Sequence, residues 1–535
     1  MTAGMIDTVV IGAGHNGLIA ACYLAAAGQR VVVLERDSVP GGAVSTVERF
    51  PGYKVDRGSS AHLMIRHTPI IDELGLADHG LRYVDCDPWA FSPGTADGPP
   101  IVFHQSLDRT CASIEAACGA ADADAYRRFV AVWGPRSDAM MSAFTSSPSP
   151  MALGRAFWGL TGRIPGGGGT AGIGLSQEFL MSGNALLDNW FESEHLKAAL
   201  AWFGAQSGPP MNEPGSAPMV GFCAAMHTIP PGRAIGGSGA LSESLLRKLD
   251  SDGGQVFLSA AATALEPRGD GWLVRSADGG EHRTRSVVSA CHVLTTLELL
   301  RAGGFDRTAL DRWRSQIRIG NGIGMAVRLG GTDVPAYPGL PADTDVHAAL
   351  GLLVTDRGHL ARAYADASAG DLPTRPALIA MSYSAIDPTL APPGRHMTSL
   401  WAQWHPYRLS GGRNWADHAD EASDAIIAEL ERHAPGFTDS IEHVHVQTPA
   451  DLESELGLTG GNIMHVEMSL DQMMIWRPHP ELARHRVPGA AGIFLAGAST
   501  HPGGGVCGAS GRIAASAVLV DRRSPLARIT RGRWG

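Results

Sequence analysis

Residues 5–36 read "MIDTVVIGAGHNGLIAACYLAAAGQRVVVLER", and no other stretch narrows the fold so far. "DTVVIG" is a short β-branched run that fits a buried parallel strand. Gly12, Gly14 and Gly17 follow as GxGxxG. An alanine-rich helix comes next, with Gly28 as its expected C-terminal stop. "RVVVLE" reads as a second strand ending at Glu35. Gly12 makes the tight turn, Gly14 lets backbone approach a pyrophosphate, and Gly17 lets helix and strand pack closely. The helix N-terminus turns its free N–H groups toward the phosphates, and Glu35 can accept hydrogen bonds from a ribose. Ala13, Asn16 and Arg36 complete this first set of candidate contacts. A glycine-rich turn that binds nothing is the bland alternative, and the acid placed after the second strand argues against it.

The next segment separates two kinds of dinucleotide. "RDSVPGGAVSTVERFPGYKVDRGSS" carries a second glycine pair, Gly41-Gly42, followed by Ala43, and then "VDRGSS", Val55 to Ser60. This extended signature resembles the FAD-binding amine oxidase and phytoene desaturase superfamily. The resemblance implies that Gly41, Gly42 and Ala43 lie beside the pyrophosphate. It also implies that the chain around Gly58 and Ser59 passes beneath the flavin.

At 535 residues the chain exceeds one simple core, so two or three domains are expected. The net charge is −10 and no basic cluster occurs, which argues against nucleic acid as a partner. The seven cysteines form no CxxC and no zinc spacing. Reduced thiols in a cytoplasm are therefore the expectation. A strand-like run begins by Met5, leaving no room ahead of it for a signal peptide. No apolar run reaches the roughly 18 residues of a membrane span. The expected location is cytoplasmic, with at most peripheral contact with a membrane.

Residues 76–224 lose the βαβ rhythm. Within them, 139–177 hold no acid, and Arg155 and Arg163 are the basic residues. This is a candidate lid or lipid-contacting segment, against the plainer reading of a packed helix pair with a long loop. From 236 the pattern returns as helix, strand and hairpin-like strands ending in "SVVSA". "GGSGAL" is rejected as a second nucleotide loop because no β-branched strand runs into it, and "GNGIG" has no alanine-type helix behind it. Residues 301–454 form another non-nucleotide stretch. There "SLWAQWHPYRL" reads as a strand, and "EHVHVQT" puts His443 and His445 on one strand face. With no third ligand nearby, the two histidines read as ordinary strand residues and no metal is expected.

The chain closes on "GIFLAGAST" and then "HPGGGVCGASGR" before a helix, "IAASAVLV". In the superfamily this last strand and helix return to the first domain. The resemblance thus implies that Gly497 begins a loop reaching the flavin pyrimidine edge. N–H groups near Gly505 and Val506, with the helix dipole, would stabilise the negative charge of the reduced ring. It also implies that backbone near Ala262 lies against the adenine. "GGNIMHVEMSLDQMMIWRP" (Gly460 to Pro478) together with the late glycine run resembles the phytoene dehydrogenase-like branch, and within it the group of pyridine nucleotide-disulphide oxidoreductase domain-containing protein 2. That group's name promises a disulphide. No paired cysteines follow the first βαβ unit here, so dithiol chemistry is not expected.

These readings predict an α/β chain with an α+β substrate part. A discontinuous Rossmann-like FAD-binding domain is expected over 1–75, 225–300 and 455–525. An inserted substrate-binding domain is expected over 76–224 and 301–454. The expected activity is that of an FAD-dependent desaturase or dehydrogenase. It would move hydride from an apolar or amphipathic small molecule to flavin N5, with oxygen or a quinone as the acceptor. A redox-neutral flavin isomerase, and a flavin-binding scaffold with little turnover, are the alternatives. Asp471 and His501 lead the candidate catalytic groups, followed by His465, Gln472 and His227. His62 and Arg233 lie in neighbouring motifs. A homo-oligomer is left open, and a Ser-His-Asp hydrolase is dismissed because no GxSxG elbow occurs.

Overall fold

The computed structural model describes residues 5–95, 98–161, 171–340 and 346–523. Its first sheet grows from the N-terminal unit. The strand Ile6–Ile11 runs parallel to Val31–Leu34 on one side and to Glu281–Ser289 on the other. Gln255–Phe257 extends the sheet beyond Val31–Leu34, and Ile493–Leu495 lies parallel to Val287–Ser289. An antiparallel hairpin, Ala262–Arg268 with Gly271–Ser276, completes it. Strands covered on both faces must be apolar throughout, and Val9 and Val10 are both fully buried.

Alternate side chains sort into two cores. Val10, Val33, Val288 and Phe494 face the helices His15–Ala26, Gly239–Ser251 and Ala509–Arg523. Val9, Val32, Val287 and Ile493 face Val293–Ala302 and Arg307–Gln316, through Leu297, Leu310 and Trp313. The cover of this sheet therefore runs past residue 300. Gly28 ends the first helix at φ +79, as its sequence position suggests. The last helix packs closely on the first, because a Cβ at Gly511 would sit 2.2 Å from the Asn16 carbonyl oxygen.

The second sheet is mostly antiparallel. Its strands lie in the order Ile441–Gln447, Gly324–Gly331, His396–Gln403, Ala377–Met381, Leu350–Leu353, Ala90–Ser92, Ile101–Phe103. Leu329, Leu353, Leu378 and Leu400 pack against the helix Trp415–His433. Leu352, Ala377 and Ile379 pack on the opposite side against the helices Ala120–Thr145 and Glu194–Ala205. The two expected strands, "SLWAQW" and "EHVHVQ", both form here. His443 stacks on Phe50 at 4.9 Å, and the described residues contain no metal-holding group of His, Cys, Asp or Glu. All seven cysteines are free. Of the candidate lid, helices Pro150–Thr161 and Ala171–Leu180 flank residues 162–170, which lie outside the described residues. No helix among the described residues is long and apolar enough to cross a membrane.

A buried charge cluster ties the second sheet to two short strand pairs, Thr46–Phe50 with Tyr53–Asp56 and Tyr83–Asp85 with Gly232–Ala234. Asp56, at the end of the strand Tyr53–Asp56, pairs with Arg233. The same carboxylate accepts from Thr46 Oγ1 at 2.7 Å and from the Ser238 amide at 2.9 Å. Arg328, on the strand Gly324–Gly331 next to one edge of the second sheet, donates to the Asp56 carbonyl at 3.3 Å. Burial works to raise the Asp56 carboxyl, but Arg233 and these hydrogen bonds win and hold it below its ordinary value. The cluster also explains why "GGSGAL" is not a phosphate loop. The Ser238 and Gly239 amides are already taken by Asp56 and Thr46.

Candidate active site

The glycine turn is built as its spacing requires. A Cβ at Gly17 would lie 2.0 Å from the Gly12 carbonyl oxygen, so helix and turn touch there. A Cβ at Gly14 would meet nothing nearer than the Gly41 oxygen at 4.0 Å. Gly14 and Gly41 pair as an isolated bridge, and the Gly41 amide donates to the Ala13 carbonyl at 2.9 Å. The two glycine motifs thus form one open cradle. No side chain caps the helix that starts at His15, which leaves its first amides for an anion. Gly12, Gly14, His15, Gly42 and Ala43 keep solvent access, and Gly58 is exposed, although the strands and helix around them are buried.

Glu35 is buried at the end of the second strand. One carboxylate oxygen accepts from the Ala13 amide at 2.6 Å, and the other from the Asp37 amide at 2.9 Å. The acid expected on a ribose therefore also pins the glycine turn. Asn16 is buried with its Oδ1 unpartnered. Arg36 has a structural task, because it donates to the Ser454 and Glu455 carbonyls at 3.3 and 3.1 Å. Ser59 donates its amide to the Ala43 carbonyl at 2.8 Å, which ties the third motif to the second. Ala262 opens the hairpin strand and is half-buried.

The late loop meets the early motifs. A Cβ at Gly505 would lie 3.4 Å from Met64 Cγ, just beyond "VDRGSS". Gly497 is pressed against the 290–291 turn, where a Cβ would come 2.5 Å from the Cys291 oxygen. Gly503, Gly505, Val506 and Gly508 all have positive φ. At Val506, φ is +54, a costly conformation for a β-branched residue and one that tends to collect at functional sites. His465 is similarly strained at φ +66, and its carbonyl accepts from His292 Nε2 at 2.8 Å.

The candidate catalytic residues part company here. His501 is fully buried and His465 half-buried beside the late loop, each with an unpartnered Nδ1. Burial pushes His501 down to about 3 and His465 well below the usual imidazole value. His501 Nε2 bonds the Ala143 carbonyl at 3.1 Å. Asp471, in contrast, is an exposed ion-pair partner of Arg318, bonded at 2.7 and 2.8 Å. Gln472 clamps the Arg318 backbone through its Oε1 and Nε2 at 2.9 and 3.0 Å. Both are spent on one loop contact, and the expectation of acid–base chemistry from them is withdrawn. His227 is likewise saturated, by Tyr126 Oη and the Gln105 carbonyl, each at 3.0 Å. His62 bonds Tyr83 Oη at 2.6 Å, while its Nε2 is unpartnered and its imidazole is pushed down to about 3 by burial.

Four neighbours escaped the sequence reading. His15, inside GxGxxG, is pushed down to about 4 by burial and is close enough to His62 and His465 to influence their protonation. His292 stacks on His465 at 5.7 Å. Met64 faces Gly505, and Arg477 lies behind Gly503. Local spacing offered no signal for them, although Arg477 sits in the quoted "WRP".

An uncapped helix start, a glycine cradle with room, a buried acid after the second strand and a strained late loop near Met64, just past "VDRGSS", fit FAD. Together they define an FAD-dependent oxidoreductase. Comparison with known proteins agrees. Residues 10–74 match the NAD(P)-binding Rossmann-like domain family. The rat (Rattus norvegicus) pyridine nucleotide-disulfide oxidoreductase domain-containing protein 2 is 33% identical, over 97% of this chain and 94% of its own. A phytoene dehydrogenase from Streptomyces griseus is 27% identical over 97% of this chain and 96% of its own. The solved structure of cyclohexylamine oxidase from Brevibacterium oxydans IH-35A shares the fold, with a TM-score of 0.59 at 15% identity over 97% and 100% of the two chains. The chain belongs to the family of pyridine nucleotide-disulfide oxidoreductase domain-containing protein 2.

Proposed function

We propose that the protein is a desaturase- or dehydrogenase-type enzyme for an amphipathic small molecule, with oxygen or a quinone taking the electrons. When bound, FAD supplies a two-electron acceptor at N5. The observation that carries the substrate class is a cavity of about 230 Å³ against the segment that leads to the late loop. Ile319, Ile323, Tyr364, Trp404 and Met468 line it, with Glu213 and Glu467 among its polar groups. Met464 connects the two places. A Cβ at Gly208, on the cavity wall, would be 3.8 Å from Met464 Cγ, and one at Gly504 would be 2.6 Å from its Sδ. A mostly apolar wall with a few polar groups suits a substrate with one polar end.

The neutral histidines are weak bases, and His501, bonded to the Ala143 carbonyl, serves to position backbone. Glu213 is the better proton acceptor. Burial, and then the charge of Glu467, raise its carboxyl above the ordinary value, which brings it nearer the working pH. The test is anaerobic bleaching of the bound flavin against a panel of lipids, isoprenoids and amines, with wild type and Glu213→Gln. Substrate-driven bleaching that outpaces photoreduction, and slows at least tenfold in the variant, supports the reading. A yellow protein that no member bleaches supports the scaffold alternative. Bleaching unchanged in Glu213→Gln removes that residue from the chemistry.

A further inference from the structure

Arg477 is fully buried and forms no ion pair among the described residues. Its guanidinium instead gathers backbone carbonyls from two segments. Nη1 donates to Glu467 and Gln472 at 3.1 and 3.4 Å. Nη2 donates to Met464, Val466 and Ala498 at 2.6, 3.3 and 3.1 Å. Its Nε has no partner, and a Cβ at Gly503 would lie 3.3 Å from both Nε and Cζ. The side chain therefore backs directly onto the late glycine loop. Burial pushes the guanidinium down to about 9, so it stays charged at neutral pH. His292, His465 and His501 around it are neutral there.

An unpaired buried cation is costly, and carbonyl dipoles offset only part of that cost. Two-electron reduction of a flavin, with one proton taken up at N5, leaves one negative charge on the ring. We propose that Arg477 is the positioning residue that supplies the balancing positive charge to the reduced flavin through the Gly503 loop, while tying the His465 segment to that loop. The inference rests on the FAD site described above. It predicts that Arg477 makes the protein hold reduced FAD more tightly than oxidised FAD.

The experiment compares the FAD midpoint potential of purified holoprotein in wild type, Arg477→Met, Arg477→Gln and Arg477→Lys, with melting temperatures alongside. Methionine and glutamine remove the charge, and lysine keeps it. The preference for reduced over oxidised FAD should fall about tenfold or more in the two neutral variants, a potential drop of ~30 mV or more. Arg477→Lys should stay near wild type in potential even where the melting temperature falls. If Arg477→Met fails to fold, the glutamine and lysine variants still decide the matter. Equal potentials in Arg477→Gln and Arg477→Lys would overturn the proposal and leave a purely structural clamp. A wild-type protein that cannot be loaded with FAD would overturn the site reading itself, a failure visible without any variant.

Discussion

Gly14→Ala separates cofactor contact from protein packing at the one glycine where the structure keeps them apart. Gly14 has φ −66 and ψ 163, backbone angles that alanine adopts freely. The added Cβ would find its nearest neighbour, the Gly41 oxygen, at 4.0 Å, so the apoprotein has room for it. Removing a glycine's freedom from the unfolded chain stabilises by about 0.4–1 kcal/mol at a compatible site. The apoprotein should therefore melt at or slightly above wild type. A methyl forced between the turn and a pyrophosphate behaves as overpacking, which costs about 1–3 kcal/mol, or roughly 5- to 150-fold in affinity. Gly17→Ala is the contrast, because its Cβ would lie 2.0 Å from a backbone oxygen and must destabilise the apoprotein itself. The assay is fluorescence titration of apoprotein with FAD beside its thermal melt. Gly14→Ala binding FAD as wild type does would refute the pyrophosphate assignment. A clearly destabilised Gly14→Ala apoprotein would refute the claim that the cradle is open.

Asp56→Asn should destabilise the fold by about 3–5 kcal/mol, because it strands the buried Arg233 without its counter-charge. Chemical denaturation checks this, and a double Asp56→Asn/Arg233→Met variant should recover part of the loss. Glu35→Ala should weaken FAD binding by at least the 1.5–3 kcal/mol of about one charge-assisted hydrogen bond, since the carboxylate also holds the Ala13 amide. Titration with FAD gives the answer, and unchanged affinity would take Glu35 off the ribose. Acid should destabilise the protein early. His62 and His501 are pushed down to about 3, and His292 and His485 to about 4. The unfolded chain therefore binds more protons below pH 6.5. Stability is then complete above that pH and falls as pH drops toward 4, by about 1.4 kcal/mol per pH unit for each histidine that stays neutral. A melting temperature flat from pH 7 to pH 5 would contradict this.

What was legible in the sequence follows from the range of the forces involved. The first βαβ unit is a local object. Its glycines, its helix stop at Gly28 and its acid at Glu35 sit within one stretch, and each has the structural surroundings expected of it. The late strand and helix could be read for the same reason. Asp471 and Gln472 were misjudged because their motif lies close to the late loop in sequence. Their partner, Arg318, arrives from a segment about which the motif says nothing. Arg477 escaped notice because its burial is a tertiary fact, set by five carbonyls drawn from Met464 to Gln472 and from Ala498. Asp56 was read only as part of a flavin-side motif, yet Arg233 and Arg328 make it a joint between a short strand pair and the second sheet.

The density of glycine after Thr500 now has two physical reasons, and they fall on different residues. Gly503, Gly505 and Gly508 have φ of +124, +89 and +76, so a side chain at any of them is strained whatever lies nearby. At Gly508 a Cβ would also collide with Ile19 at 2.6 Å, which packs the loop onto the first helix. Gly505 is exposed and near Met64 alone. Replacing it by valine would therefore perturb the loop through strain even if no cofactor touched it, and lost flavin affinity in that variant would not identify a contact. Val506 carries the same left-handed geometry without the excuse of being glycine. A loop that accepts such a cost between two conformationally committed glycines is held for what its amides face. Gly505 lies near Met64 on the exposed side of this loop, and Gly503 lies against the buried Arg477 guanidinium. With FAD held as proposed, negative charge on the reduced ring would be met by the loop's N–H dipoles and, behind Gly503, by the Arg477 cation. That pairing of dipoles with a cation, rather than any single histidine, is what the proposed site would bring to a flavin that must hold an extra electron pair.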